Sequence, residues 1–120
     1  LILGDLNVAP NPDDVYSLDA FKGVPTYHPE EHARWDRLLE LGFADVSKPW
    51  LAPGTYSFWD YRGGAFRRDQ GMRIDHHLAT ASLASRVRGS RVLRQWRKSL
   101  EDLRASDHAP VEITLVDAIA

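Results

Sequence analysis

There is no cysteine in this 120-residue chain, which excludes a disulfide framework and a thiolate zinc site. A cysteine-free chain fits a reducing compartment, and the cytoplasm is the expected location. Long apolar runs are missing as well. Nothing approaches the ~20 residues that a membrane-spanning helix requires, and nothing resembles a signal peptide. Net charge is only −2, so no global basic field announces a nucleic acid. Low-complexity tracts and internal repeats are absent. An initiator methionine is absent too, and the chain opens directly in an apolar stretch. The expectation is one partial domain over residues 1–120, with an N-terminal portion missing.

What is present is an ordinary globular composition, 43% hydrophobic and 27% charged, enough for one core. The charge is uneven. Eleven of the fifteen Lys and Arg residues lie between Arg62 and Arg104, beside only Asp69, Asp75, Glu101 and Asp102, and the first 60 residues hold the acidic excess. A basic half suits phosphate, and it equally suits a solvated surface.

Leu1-Ile2-Leu3-Gly4-Asp5-Leu6-Asn7 reads as a strand buried on both faces that runs out into a turn. Asp5 and Asn7 then stand at a sheet edge, where they either display polar groups or simply make the turn. A loop follows to Gly23. Residues 30–41 place Trp35, Leu38, Leu39 and Leu41 at helical spacing, with Glu30 and Glu31 in the first turn and Gly42 as terminator. Residues 55–61 and 72–79 read as two strands of a hairpin joined by the Gly- and Arg-rich turn from Arg62 to Gly71. Residues 82–85 are a short turn or helix, and 87–93 and 111–116 are strands. Residues 94–104 are a weak helix or a basic loop.

His28-Pro29-Glu30-Glu31-His32 matches the spelling of a zinc-protease motif. That motif needs both histidines on one continuous helix, and Pro29 drives His28 out of the helical region. These read as surface histidines. His76 and His77 are adjacent in a strand, so they point to opposite faces, one partly buried and one exposed. Asp5, Asn7, Asp75, Asp107 and His108 all fall near strand termini. If those ends converge, their hard oxygens suit Mg²⁺ with substrate phosphate, and an imidazole held by a carboxylate suits developing charge. If they do not, they are turn residues and ion-pair partners. Both readings stand open on the residues alone.

Four stretches settle a resemblance: Gly-Asp-Leu-Asn at 4–7, Tyr-Ser-Phe-Trp-Asp-Tyr-Arg at 56–62, Gly-Met-Arg-Ile-Asp-His at 71–76 and Ser-Asp-His-Ala-Pro at 106–110. In this order and spacing the chain resembles the C-terminal portion of a bacterial exonuclease III, in the endonuclease/exonuclease/phosphatase superfamily. The resemblance implies an α/β fold, roughly half of a four-layer α/β sandwich, with a mainly antiparallel or mixed sheet and a flanking helix. It implies a metal-dependent DNA-repair nuclease, a 3′–5′ exodeoxyribonuclease and abasic-site endonuclease. Asp5 would sit by the attacking water, Asn7 would bind the phosphate, and His108 would face a phosphate oxygen with Asp75 as its carboxylate partner. Asp107, with Asp5 and Asn7, would hold Mg²⁺ or Mn²⁺.

Phe58, Met72 and Ile74 would line a pocket for an extrahelical abasic sugar, though they are as readily core residues. Arg62, Arg67, Arg68 and Arg73 would contact the backbone of double-stranded DNA at abasic sites and 3′ ends, or form a solvated loop. The metal-binding Glu, an Asn and a Tyr of that family lie N-terminal to Gly-Asp-Leu-Asn, outside this chain. Little activity is therefore expected from the chain alone, and an uncovered sheet face would favour a homodimer. A phospholipid or inositol phosphate phosphoesterase, and a non-catalytic DNA-binding or assembly piece, are the alternatives.

Overall fold

In the computed structural model, which describes residues 1–98 and 105–117, every sheet is antiparallel. The strands are β1 (Ile2–Asp5), β2 (Ala44–Asp45), β3 (Phe58–Trp59), β4 (Gly71–Met72), β5 (Asp75–Ala79), β6 (Val87–Val92) and β7 (Val111–Leu115). They form a three-stranded sheet in the order β1-β5-β2 and two ribbons, β3-β4 and β6-β7. The helices are α1 (Leu18–Phe21), α2 (Pro29–Glu40) and α3 (Ala81–Ala84). The class is α/β, as the resemblance implies.

Helix α2 begins where its sequence says it should. His28 takes the N-cap, its Nδ1 accepting from Glu30 N–H at 3.1 Å, and Pro29 fills the first helical position. Gly42 follows the last turn at φ 101°, a left-handed conformation that favours glycine. The apolar face is narrower than the spacing predicts. Trp35 is buried and Leu38 packs beside Val8 and Leu78, whereas Leu39 and Leu41 are 38% and 74% exposed. Truncating a buried tryptophan such as Trp35 costs about 3–5 kcal/mol. His32 lies within the helix and meets Ala9 O at 2.8 Å, so the two histidines of the protease spelling do not converge.

Strand β1 departs from its reading as a doubly buried strand. It lies at one edge of its sheet, and while Ile2 packs into the cluster with Trp35 and Leu78, Leu1 and Leu3 are 51% and 61% exposed. An apolar run records a preference for burial; it does not supply the element that covers it. The strand expected over 72–79 also breaks, into β4 and β5. Arg73 N–H leaves the ladder to donate to Asp14 O at 2.8 Å, and Ile74 N–H donates to the Ser57 hydroxyl at 3.1 Å. The expected hairpin therefore shrinks to the short β3-β4 ribbon, and β5 joins β1 instead.

The break turns Arg73 inward. It is 1% exposed, with Nε 2.7 Å from Asp14 Oδ1 and Nη2 2.8 Å from Asp45 Oδ2, while Lys48 Nζ bridges Asp13 and Asp14 at 2.8 Å each. Burial alone would raise the Asp14 carboxyl, but Arg73 and then Lys48 hold it below its usual range. His76 and His77 are both buried, contrary to the expectation that one is exposed. His76 lies between Val8 O, at 2.6 Å, and Arg73 Nη1, at 3.1 Å; His77 Nδ1 lies 3.0 Å from the Ser47 hydroxyl. Residues 94–97 form a 3₁₀ turn, and the rest of the expected weak helix, 99–104, lies outside the described residues.

Candidate active site

Asp5 ends β1 and Asp75 begins β5, and the register sets them directly opposite one another. Like charges at paired strand positions repel, so the pair needs an answering group. His108 supplies it. Its Nδ1 lies 2.7 Å from Asp75 Oδ2, and its Nε2 faces Asp5 Oδ2 at 3.6 Å and Asp107 Oδ1 at 3.8 Å. An ionised carboxylate only accepts hydrogen bonds, so Nδ1 donates to Asp75 and Nε2 is the nitrogen turned toward the other two acids. Asp5, Asp75 and His108 each offer a ligand atom within 4.8 Å of the others.

Three devices hold this arrangement. Residues 107–109 dock on β3, where Trp59 N–H donates to Asp107 O at 3.0 Å and Ala109 N–H to Ser57 O at 2.8 Å. The Phe58 ring meets the imidazole of His108 edge-on at 5.2 Å. The buried Ser57 hydroxyl accepts from Ile74 and Asp75 N–H, at 3.1 and 3.2 Å, and so fixes where Asp75 begins. Gly71 permits the close β3-β4 approach, because a Cβ there would lie 2.6 Å from Phe58 O. Ser57 was not singled out from sequence. A serine inside an aromatic strand was the available signal.

Asn7 adopts a left-handed φ of 54°, and its N–H donates to Asp5 Oδ1 at 2.9 Å. Asp and Asn tolerate such geometry because their side chains bond locally. The turn itself ties down one carboxylate oxygen and leaves the other toward His108. Asp5 and Asp107 keep 38% and 37% of their side chains exposed. Their oxygens suit a hard divalent ion that retains water and takes a substrate phosphate. Asp75 is already engaged by His108.

The apolar candidates divide. Phe58 and Met72 line a cleft of about 490 Å³ together with Tyr16 and Phe21, rimmed by Asp60, Arg62 and Arg68. Met72 also belongs to the buried core with Ala9, Val15 and Ile74, and of Met72 and Ile74 only the latter, 3% exposed, does not reach the cleft. Arg73 is likewise removed from any surface role by its burial, which corrects its reading as a DNA contact. Arg62 is exposed and paired with Asp60 at 2.9 Å; the hydrogen bonds from Arg62 hold that carboxyl down at about 2. Tyr16 and Phe21 were missed from sequence, because Tyr16 lies in a polar loop and Phe21 ends the four-residue helix α1, too short for a periodicity to mark it.

The sequence profile of the Endonuclease/Exonuclease/phosphatase family matches residues 1–108. The chain belongs to that family. Within it, the chain is 33% identical over 118 residues to an exodeoxyribonuclease of Bacillus subtilis, covering 96% of this chain and 44% of that protein. An AP endonuclease from Archaeoglobus fulgidus shares the fold with a TM-score of 0.82 at 37% identity, over 94% of this chain and 44% of that one. A 3′ phosphatase from Neisseria, solved with a product DNA hairpin, gives a TM-score of 0.83 at 33% identity, over 95% and 44%. The chain therefore spans less than half the length of these relatives.

Proposed function

We propose that this chain is the C-terminal part of a metal-dependent DNA-repair nuclease that hydrolyses phosphodiesters with activated water, as a 3′–5′ exodeoxyribonuclease and abasic-site endonuclease. The observation that carries the reading is the Asp75–His108–Asp5 cluster, an imidazole oriented by one carboxylate and turned toward two others. In it, Asp5 stands beside the attacking water. His108 Nε2 faces the phosphate, and Asp75 keeps the imidazole in the tautomer that does so. Asn7 binds a phosphate oxygen. Asp5, Asn7 and Asp107 would hold Mg²⁺ or Mn²⁺, which neutralises charge on the phosphate. The cleft of part-buried Phe58 and buried Met72, with Arg62 and Arg68 on its rim, would take the abasic sugar and the strand that carries it.

Relatives named as exodeoxyribonuclease and AP endonuclease support the substrate class, and the length of those relatives supports an incomplete site here. The test is Mg²⁺-dependent incision of a synthetic abasic duplex, by this chain and by a longer protein that contains it. Incision is expected from the longer protein alone, falling about 10²–10⁴-fold on His108→Asn or Asp75→Asn. Should neither cut DNA, the nuclease reading fails and phospholipid and inositol phosphate substrates come next.

A further inference from the structure

The turn over residues 94–97 is inside out. Arg97 is 5% exposed, whereas the adjacent Trp96 is 59% exposed. Burying an indole ordinarily outranks burying a guanidinium. Arg97 nevertheless donates from Nη2 to Trp59 O at 2.9 Å and lies over the rings of Tyr61 and Phe66 at 5.1 and 4.9 Å. Its Nε is buried without a partner among the described residues, so polar satisfaction is given up as well. Arg94 lies over Phe66 at 4.1 Å and donates to Phe66 O at 3.0 Å. Leu93 N–H ties the start of the turn to Pro110 O at 2.8 Å. The turn is anchored through the residues on both sides of Trp96, and none of those anchors uses the indole.

What the indole faces gives it a role. Trp96 shares a shallow cleft of about 470 Å³ with His108, walled by Ala105, Ser106, Ala109 and Pro110. The cleft is thus flat, largely apolar and continuous with the imidazole of the candidate site. Cations follow Trp96 directly in the chain: Arg97 and Lys98 line a second cavity with Arg67 and Asp60. A ligand for this surface needs a flat uncharged ring on a phosphate-bearing backbone.

We propose that Trp96 is a stacking platform for an unpaired nucleobase adjacent to the phosphate at His108. The inference rests on the nuclease reading and deepens it, because it makes a frayed or single-stranded base part of the substrate. Stacking of this kind tolerates any base, since each presents a π face.

The test is fluorescence anisotropy of the longer protein that contains this chain, with two labelled single strands of equal length. One carries mixed bases; the other is built wholly of abasic units and keeps only the phosphates. Trp96→Ala should weaken the base-bearing strand about five-fold or more and leave the abasic strand unchanged. Trp96→Phe, which keeps a ring, should restore most of the loss, and a matching circular dichroism spectrum guards against misfolding. Equal losses on both strands, or none on either, would overturn the platform while leaving the nuclease reading intact. If the longer protein with Trp96 unchanged binds neither strand, the DNA reading itself falls and the platform with it. If Trp96→Ala abolishes only self-association, the occupant is a second copy of the chain and the base assignment is wrong.

Discussion

Two clusters of acids and bases interleave between residues 73 and 76, and they behave as opposites. Arg73 and His76 belong to one that is sealed, with Asp14, Arg73 and His76 at 0%, 1% and 1% exposure. Asp75, between them, belongs to one at the rim, where Asp5, Asp107 and His108 keep 38%, 37% and 27% of their side chains in solvent. In the sealed cluster each carboxylate meets a cation: Asp14 meets Arg73 and Lys48, and Asp45 meets Arg73. At the rim three carboxylates share one imidazole. The residue types are alike, so type does not separate scaffold from chemistry. Charge balance does. A cluster whose acids each meet a permanent cation holds the fold, and one whose three acids share a single imidazole has room for a cation and a phosphate.

The contrast breaks most sharply at Arg73. Arg73→Met leaves Asp14 buried without its guanidinium and should cost about 3–5 kcal/mol in urea unfolding. Replacing Asp14 by Leu in the same chain should recover part of that loss, because the pair can be exchanged for packing more cheaply than it can be halved.

The sealed cluster should also give acid sensitivity that the rim does not. Burial, and then the charge of Arg73, lower His76 below its usual 6.5, and burial lowers His77. Below 6.5 the unfolded chain takes up protons that the folded chain refuses. Stability is therefore full above 6.5 and falls as pH drops through the folded values, by at most ~1.4 kcal/mol per pH unit for each histidine. Asp14 opens a second window. Its folded value lies below 3.8, so its contribution is present above 3.8 and disappears as pH falls through that lowered value. Denaturant midpoints measured across pH would show both steps, and a level profile between neutrality and the carboxylate range would contradict the burial of the histidines.

Ser57 ties the rim cluster to the apolar core, since its hydroxyl serves Ile74 and Asp75 together. Ser57→Ala leaves two buried or half-buried N–H groups without that acceptor and should cost about 1–3 kcal/mol, and on the proposed function it should lower DNA incision by the longer protein through displacement of Asp75. The smallest stability effect belongs to the rim. His108→Asn and Asp75→Asn should move the unfolding free energy by less than about 1 kcal/mol, as partly exposed pairs do. Their loss should appear in DNA incision by the longer protein.

Much of this was legible in the residues. Helix α2 could be placed from Pro29, the two glutamates and Gly42, and strands β6 and β7 lie within a residue of their predicted spans. These elements are specified by local terms: capping, φ preference and side-chain branching. The gathering of Asp5, Asp75 and His108 was readable only as a possibility until the motifs were recognised together. Arg73 was misread because an arginine in a basic stretch carries no local mark of burial. Its partners, Asp14 and Asp45, lie 59 and 28 residues away.

By itself, then, the sequence determined the class of fold, the bounds of helix α2 and of strands β6 and β7 to within a residue, and the acids and imidazole available for chemistry, because each depends on neighbours within a turn or a strand. The tertiary structure alone decided which charges are sealed and which are open, that Ile74 fills the core while Met72 lines a cleft, and that Trp96 faces outward. Those outcomes depend on distant partners arriving at the same place, and burial belongs to the assembly of elements rather than to any one of them.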